Sequence, residues 1–173
     1  MNIKNLIDEE SIKKTAELYC RIWREPPWNE DFWKIKDVIK DLEKQSAKKN
    51  AIVLIATNGS RDVIGFTWGY EVSIKDLSQI SGLSLNIWQK IINQRAFYVD
   101  EFGVQKEWRG NGVGQQLAQA LIEQASLANK TLVLRTDVSA KSARTVYEKV
   151  GFEELSLHDA KHKDRTYWLK KIK

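Results

Sequence analysis

Asp100-Glu101-Phe102-Gly103-Val104-Gln105-Lys106-Glu107-Trp108-Arg109-Gly110-Asn111-Gly112-Val113-Gly114 holds more potential chemistry than any other stretch of this chain. Two adjacent carboxylates open it, and glycines at 110, 112 and 114 close it beside an arginine. Glycines let backbone amides approach a guest with no Cβ in the way. At a helix start the first N–H groups have no partner inside the helix and carry partial positive charge. An anion is the expected guest, a phosphate fits best, and Arg109 adds a full positive charge at the rim. Two nucleotide-binding patterns fail on register. A P-loop needs Lys-Ser/Thr after its last glycine, where this chain has Gln115-Gln116. A Gly-x-Gly-x-x-Gly fingerprint counted from Gly110 meets Gln115 at its third glycine, and counted from Gly112 it meets Leu117. Asp137 imitates the ribose-binding acid of that fingerprint, but the glycines exclude it.

The flanking residues supply the elements that would position this loop. Ala96-Phe97-Tyr98-Val99 reads as a strand, and Val113, Leu117, Leu121 and Ala125 recur at helical spacing after it. Earlier, Ser11 to Arg24 reads as a helix that stops at Pro26-Pro27. Asn29 is placed to cap a second helix with the apolar face Phe32, Ile35, Ile39 and Leu42. Ala51 to Ala56 is a buried-strand run, Asn58-Gly59 a turn, and Val63 to Val72 the returning strand. In that strand Ile64, Phe66, Trp68, Tyr70 and Val72 fall on one face, with Gly65, Thr67, Gly69 and Glu71 on the other. From Ser73 to Gln94 the pattern is helical, with Leu85, Trp88 and Ile92 in step. Thr131 to Thr136 is a strand, Ser139 can cap a helix from Ala140 to Val150, and Gly151 ends it. Phe152 to Leu155 and Arg165 to Leu169 complete a meander. The expected class is α/β (α+β), a mixed and mostly antiparallel central sheet flanked by helices on both faces, in one domain spanning 1–173.

Arg109-Gly110-Asn111-Gly112-Val113-Gly114 resembles the acyl-CoA pyrophosphate loop (Arg-x-x-Gly-x-Gly) of the GNAT N-acetyltransferase superfamily. Phe102-Gly103-Val104 and Glu107-Trp108-Arg109 resemble that family's strand-to-loop lead-in, with Lys106 where many members have Pro. Ala143-Arg144-Thr145-Val146-Tyr147-Glu148-Lys149-Val150-Gly151-Phe152 is similar to its Ala-x-x-x-Tyr-x-x-x-Gly-Phe segment. Many members carry Asn seven residues before that Tyr; here the position is Ala140, and Ser139 or Ser142 is the candidate replacement as a CoA contact. Many members also join the two middle strands by a short turn. The added helical segment between them is therefore either a wall over the substrate or a contact with a second copy in a homodimer, and the sequence leaves both open.

The resemblance implies acetyl-CoA as co-substrate and a GNAT fold. It implies that the amides of Gly110, Asn111, Gly112, Val113 and Gly114 hold the pyrophosphate. Val104 would pair its backbone with the pantetheine arm, and the N–H of Phe102 or Gly103 would polarise the acetyl carbonyl. Tyr147 would protonate the departing thiolate; a phenol near pKa 10 is still protonated at neutral pH. An acceptor amine with a Lys-like pKa must shed its proton at a cost of about 4.6 kcal/mol at pH 7. Asp100 and Glu101 adjoin the carbonyl-binding part of the strand and are the candidates to take it. Adjacent strand residues point to opposite faces, so one of the two is expected in the site, and the space beside Gly103 favours Glu101. The loop Glu25 to Glu30, with its Pro-Pro-Trp, resembles the segment that borders the acceptor in many bacterial members. Trp28 and Glu30 are accordingly candidate acceptor contacts, with Glu71 a further acid. The expected activity is direct acetyl transfer to a small cationic amine such as a polyamine, an aminoglycoside or an amino-acid derivative. The alternatives are a protein or peptide acetyltransferase and a non-catalytic acyl-CoA sensor.

Composition narrows the other classes. With 42% apolar and 29% charged residues, 173 residues can bury a full core. The lone Cys20 has no internal disulfide partner, the start lacks a signal-peptide core, and no apolar run reaches membrane length; a cytoplasmic protein without a membrane partner is expected. A net charge of +5 is spread over scattered lysines without a nucleic-acid-binding signature, so no nucleic acid is expected as partner. His158 and His162 stand i, i+4 without a third ligand, and no metal is expected.

Overall fold

The computed structural model describes residues 1–6 and 8–172. Seven strands form one sheet: β1 (Asn2–Asn5), β2 (Ile52–Thr57), β3 (Val63–Ser73), β4 (Arg95–Val104), β5 (Thr131–Asp137), β6 (Glu153–His158) and β7 (Arg165–Lys171). Their spatial order is β1-β2-β3-β4-β5-β7-β6, antiparallel throughout except for β4 beside β5. Among the described residues six α-helices cover it: α1 (Glu9–Trp23), α2 (Ile35–Ser46), α3 (Ile74–Ser81), α4 (Leu85–Ile91), α5 (Val113–Ser126) and α6 (Lys141–Lys149). The mixed, mostly antiparallel sheet with helices on both faces is the expected class.

Each face of the sheet buries its own helices. On one, Leu117, Leu121 and Ala125 of α5 pack with Tyr147 of α6 against Leu54, Phe97, Val99 and Leu134. On the other, Ala16, Tyr19 and Ile22 of α1 and Val38 and Leu42 of α2 pack against Ile55, Phe66 and Trp68. Further along the same face, Leu77 of α3 and Trp88 of α4 pack over Tyr70, Val133 and Tyr167. Ile64 departs from its expected face. The β2–β3 register slips between Ala56 and Thr57, leaving Ile64 as an extra residue that turns toward α5.

The second helix starts later than its capping signal. Asn29 takes a left-handed φ of 52°, and α2 begins at Ile35 behind Lys34, which offers no side-chain cap. The intervening chain is held instead by Trp33, whose indole N–H donates to Glu30 Oε2 at 2.7 Å while its ring meets Tyr19 edge-on. Phe32 and Ile35 are therefore exposed, and Val38, Leu42 and Gln45 form the inner face. The first helix starts two residues ahead of Ser11, because Asp8 accepts the Ser11 N–H at 2.8 Å.

The inserted segment is two helices. A capping box between Ser73 and Asp76 opens α3, and Gly82 at φ 69° ends it. Ser81 then accepts the Trp88 indole N–H, and its carbonyl accepts the Ala160 N–H, so the insertion braces the loop between β6 and β7.

Candidate functional site

The parallel pairing of β4 with β5 has only three rungs, Phe97↔Leu132, Tyr98↔Val133 and Val99↔Leu134. Beyond them the two strands diverge. Gln105 N–H bonds Ile64 O, which fixes the alternation and turns the N–H and C=O of Phe102 and Val104 away from β3, into the gap. Gly103 bonds toward β3, so of the two expected carbonyl donors Phe102 is the one facing the opening. The gap widens into a cleft of about 660 Å³ that crosses the sheet from the α5–α6 face to the α1 face. That volume lies in the range of small-molecule sites.

The two acids enter this cleft together. The β3–β4 register skips one residue, pairing Trp68 with Glu101 and Gly69 with Val99, so Asp100 bulges. The bulge is accommodated opposite Gly69, where a Cβ would collide with Tyr98 O. Strict alternation is lost, and both carboxylates line the cleft. Asp100 Oδ2 accepts from Tyr70 OH at 2.9 Å and Glu101 Oε1 from Tyr19 OH at 3.2 Å, both tyrosines belonging to the α1 face. The expectation that only one acid enters is thereby corrected. Burial raises the pKa of both acids, and for Glu101 the neighbouring Asp100 charge raises it further, well above the usual carboxylate range. Raised carboxylates in a cleft are suited to accepting a proton near neutral pH.

The glycine loop follows a turn of 3-10 helix at Lys106–Trp108 and delivers the N-terminus of α5 to the opposite end of the cleft. Gly112, at φ 79°, turns the chain into the helix. Arg109 N–H closes on Lys106 O, and Gln116 N–H is the first to bond back, to Gly112 O. The amides between them have no backbone acceptor among the described residues. Gly110, Gly112 and Gly114 line the cleft. The Asn111 and Val113 side chains do not: Asn111 donates to Arg109 O, and Val113 is buried in the core. This bare amide edge suits a diphosphate. Arg109 is not a free rim charge. Its Nε donates to Val104 O at 2.9 Å and its guanidinium pairs with Glu25 at 2.6 Å, tying the loop to the segment after α1.

Tyr147 comes from α6. Its ring packs among Phe102, Phe152 and Trp168, and its hydroxyl, with no hydrogen-bond partner among the described residues, borders the cleft. Burial, followed by the Glu101 charge, pushes the phenol pKa up, so Tyr147 keeps its proton through the neutral range. Ser139 and Ser142 also line the cleft. Ser139 does not cap α6, however, because its N–H and hydroxyl both donate to Asp137 Oδ1, and the N-cap position is Ala140.

Trp28 also lines the cleft, stacked at 6.0 Å on Trp23, which stacks in turn on Tyr19 at 4.5 Å. Glu30 is bonded to Trp33 and stays off the cleft wall, close enough for its charge to raise the Glu101 pKa. Glu71 lies outside the cleft. It is held by Lys49, Asn50 and Arg95 at 2.6 to 2.8 Å, and these partners draw its pKa down to about 2. Its role is structural. A lowered pKa gives stability that is present above the unfolded value and lost as pH falls toward 2. Glu71→Gln is expected to cost about 1 kcal/mol at pH 7, since its cationic partners are exposed, and the gap to the parent should narrow in chemical denaturation as pH falls from about 4 toward 2.

Sequence reasoning missed Tyr19, Tyr70, Trp23, Tyr98, Arg135 and Arg165. The first two hold the acids and the others line the cleft. As residues of helices and strands they carry no local signal. No residue of α3 or α4 reaches the cleft wall, so the insertion is not a wall over the substrate. His158 Nδ1 lies 2.9 Å from Lys163 O, and no group of three metal-binding side chains gathers among the described residues. Among them, too, no helix is long and apolar enough to cross a membrane.

Comparison with known proteins agrees with this geometry. A family model described as an acetyltransferase (GNAT) domain matches residues 72–163, more than half of the chain. No curated protein matches the sequence. Among solved structures, a GNAT superfamily phosphinothricin acetyltransferase from Sinorhizobium meliloti, in complex with AcCoA, superposes with a TM-score of 0.73 at 13% identity, covering 99% of this chain and 88% of that one. A ribosomal-protein-alanine N-acetyltransferase from Brucella melitensis gives 0.72 at 16% identity, covering 99% and 100%. An aminoglycoside 6'-N-acetyltransferase complexed with coenzyme A gives 0.68 at 16% identity, covering 99% and 97%.

Proposed function

The chain belongs to the GNAT acetyltransferase family, the acetyl-CoA-dependent N-acetyltransferases, and on that premise we propose that it transfers acetyl directly to the primary amine of a small cationic acceptor in a ternary complex. The observation that carries the acceptor class is the pair of buried acids, Asp100 and Glu101, at the aromatic end of the cleft. Two carboxylates in a stretch of cleft lined also by Trp23, Trp28 and Tyr98 attract an ammonium, and aromatic faces at the cleft wall favour the same charge.

Each role falls to a group at a stated place. Glu101, with its raised pKa, takes the ammonium proton directly or through one water and passes it to solvent. The free amine then forms the N–C bond as the C–S bond breaks. Phe102 N–H, facing the gap, stabilises the negative charge that develops on the carbonyl oxygen. Tyr147 OH gives its proton to the departing sulfur, and the second proton, shed by the nitrogen as it becomes an amide, returns to the phenolate through water, so that the ammonium and acetyl-CoA yield the amide, the CoA thiol and one proton to solvent. Val104 N–H lies along the same open edge, and the amides from Gly110 to Gly114 hold the phosphates at the far end. Cys20 lies buried on α1 away from the cleft wall, its thiol pKa pushed up by burial, so it is no acyl carrier.

A thiol-release assay with acetyl-CoA over a panel of small amines and peptides tests the reading. Release with small amines supports it; release with peptides alone would replace it with protein acetylation. Tyr147→Phe separates catalysis from mere binding. The ring keeps its packing, so acetyl-CoA affinity by calorimetry should stay within about threefold while kcat falls about 10²-fold. An unchanged kcat would remove Tyr147 from the mechanism.

A further inference from the structure

The acids are not the only charges on the acceptor side. Asp100 and Arg135 are the first residues past the last shared rung, Val99↔Leu134, and so face each other across the start of the split. The ladder of β5 with β7 pairs Arg135 with Tyr167 and Asp137 with Arg165, which makes Arg135 and Arg165 diagonal neighbours on one face, their Cα atoms about 7–8 Å apart. Tyr167 packs against Trp88 of α4, so this is the face of the aromatic pocket. Both arginines line the cleft.

Arg135 is a built feature. Its NH1 donates to Asp159 Oδ2 at 2.8 Å, and Asp159, fully buried, also accepts Tyr167 OH and the N–H groups of Lys161 and His162. The insertion secures this loop from below: Ser81 O accepts Ala160 N–H, and Lys161 donates to Gln79 O. One guanidinium edge of Arg135 is thus anchored, and the residue remains at the cleft wall. Arg165 has no ion pair within 4 Å among the described residues. Its ladder neighbour Asp137 directs Oδ1 to the Ser139 N–H and hydroxyl.

The geometry points to a zwitterionic acceptor: a primary amine that also bears a carboxylate or similar anion, with the ammonium at Asp100 and Glu101 and the anion at Arg165 and Arg135. This rests on the acetyltransferase reading and narrows its acceptor class. An acid pair alone would suit a polyamine equally well, but two arginines beside it repel a second cation and leave a site for an anion. The strand spacing sets the scale. The last rung, Val99↔Leu134, holds β4 and β5 about 4.8 Å apart one residue before the split, so Asp100 and Arg135 start within the span of one small molecule and Arg165 stands one strand further. Asp137 and the α6 residues Lys141 and Lys149 also border the cleft; the lysines lie on the helix that carries Tyr147, toward the acetyl-CoA side.

Matched pairs test the proposal: amino acids against their primary amides, and diamines against the corresponding diamino acids, in the thiol-release assay. The amide has the more easily deprotonated amine, so intrinsic reactivity opposes the expected order. The acid member is expected to show a kcat/KM about 10²-fold higher, carried by KM, and Arg165→Gln should bring that ratio close to one while Arg165→Lys retains part of it. Equal or better turnover of the uncharged or dicationic members overturns the zwitterion proposal and leaves the acetyltransferase reading intact. So does an Arg165→Gln effect confined to the KM for acetyl-CoA. If no acceptor releases thiol although acetyl-CoA binds, the catalytic reading fails. Calorimetry of the same pairs on the CoA complex then decides the site by itself: selective, Arg165-dependent binding of the acids supports it, and its absence overturns it.

Discussion

Glu101→Gln is expected to lower kcat/KM about 10³-fold and, in the same protein, to raise the unfolding midpoint at pH 8. Loss of rate follows from removing the proton acceptor while keeping an oxygen for Tyr19 OH to donate to. The gain in stability follows from linkage. Burial, then the Asp100 charge, puts the folded pKa of Glu101 above its unfolded value. Between those two pKa values the folded protein holds a proton that the unfolded chain has released, so stability falls as pH rises through that window. Gln carries no such cost. Its advantage over the parent should grow from near zero at pH 4 to a plateau above the folded pKa. Below pH 8 an acceptor ammonium stays protonated, so the acid limb of the parent's kcat/KM profile belongs to the Asp100–Glu101 pair, which titrates as a unit. That limb should lie above the ordinary carboxylate range and should change in the variant. A limb near pH 4 in the parent, or a variant no more stable at pH 8, would show Glu101 to be an ordinary solvated acid.

Gly114→Val is expected to weaken acetyl-CoA binding at least 10²-fold. A Cβ at Gly114 would stand 3.1 Å from Phe102 Cζ and 3.5 Å from Val104 and Val146, so a branched side chain forces α5 away from β4. That motion displaces two sets of donors together, the amides at the helix mouth and the open edge of Phe102 and Val104. Each hydrogen bond to a phosphate charge is worth about 1.5–3 kcal/mol, so losing one or two suffices for the expected change. Gly112→Ala serves as the milder comparison. Its Cβ meets nothing closer than Gln116 at 3.7 Å, leaving only the strain of a left-handed backbone, about 1–2 kcal/mol, to weaken the fold. Calorimetry with acetyl-CoA, with thermal melts to confirm folding, separates the two. Parent-like affinity in a folded Gly114→Val protein would remove the helix mouth from the binding site.

What was legible in the sequence was whatever is written locally. The glycines at 110, 112 and 114 and the Tyr147-to-Phe152 spacing lie within single turns or loops, where backbone chemistry limits the choices. The sheet and its helices followed from periodicity for the same reason. What escaped depends on partners far along the chain. The bulge that brings Asp100 in beside Glu101 depends on Gly69, across the ladder on β3. Arg109 reads as a free cation until Glu25 is seen beside it. Asn29 has the right chemistry for a cap, but the Trp33 contacts with Glu30 and Tyr19 outweigh it. Glu71 reads as an available acid until its three partners are placed around it.

The three-rung junction of β4 and β5 puts raw strand edges in the middle of a sheet instead of at its perimeter. Outer edges invite any extended chain to dock, with aggregation as the hazard. An interior edge lined by residues of α5, α6 and the Trp23–Trp28 segment is reached through the cleft and not from the sheet's perimeter. A guest that carries amides and enters by the cleft can pair with those groups as an added strand would, while their place inside the sheet keeps them from templating self-association.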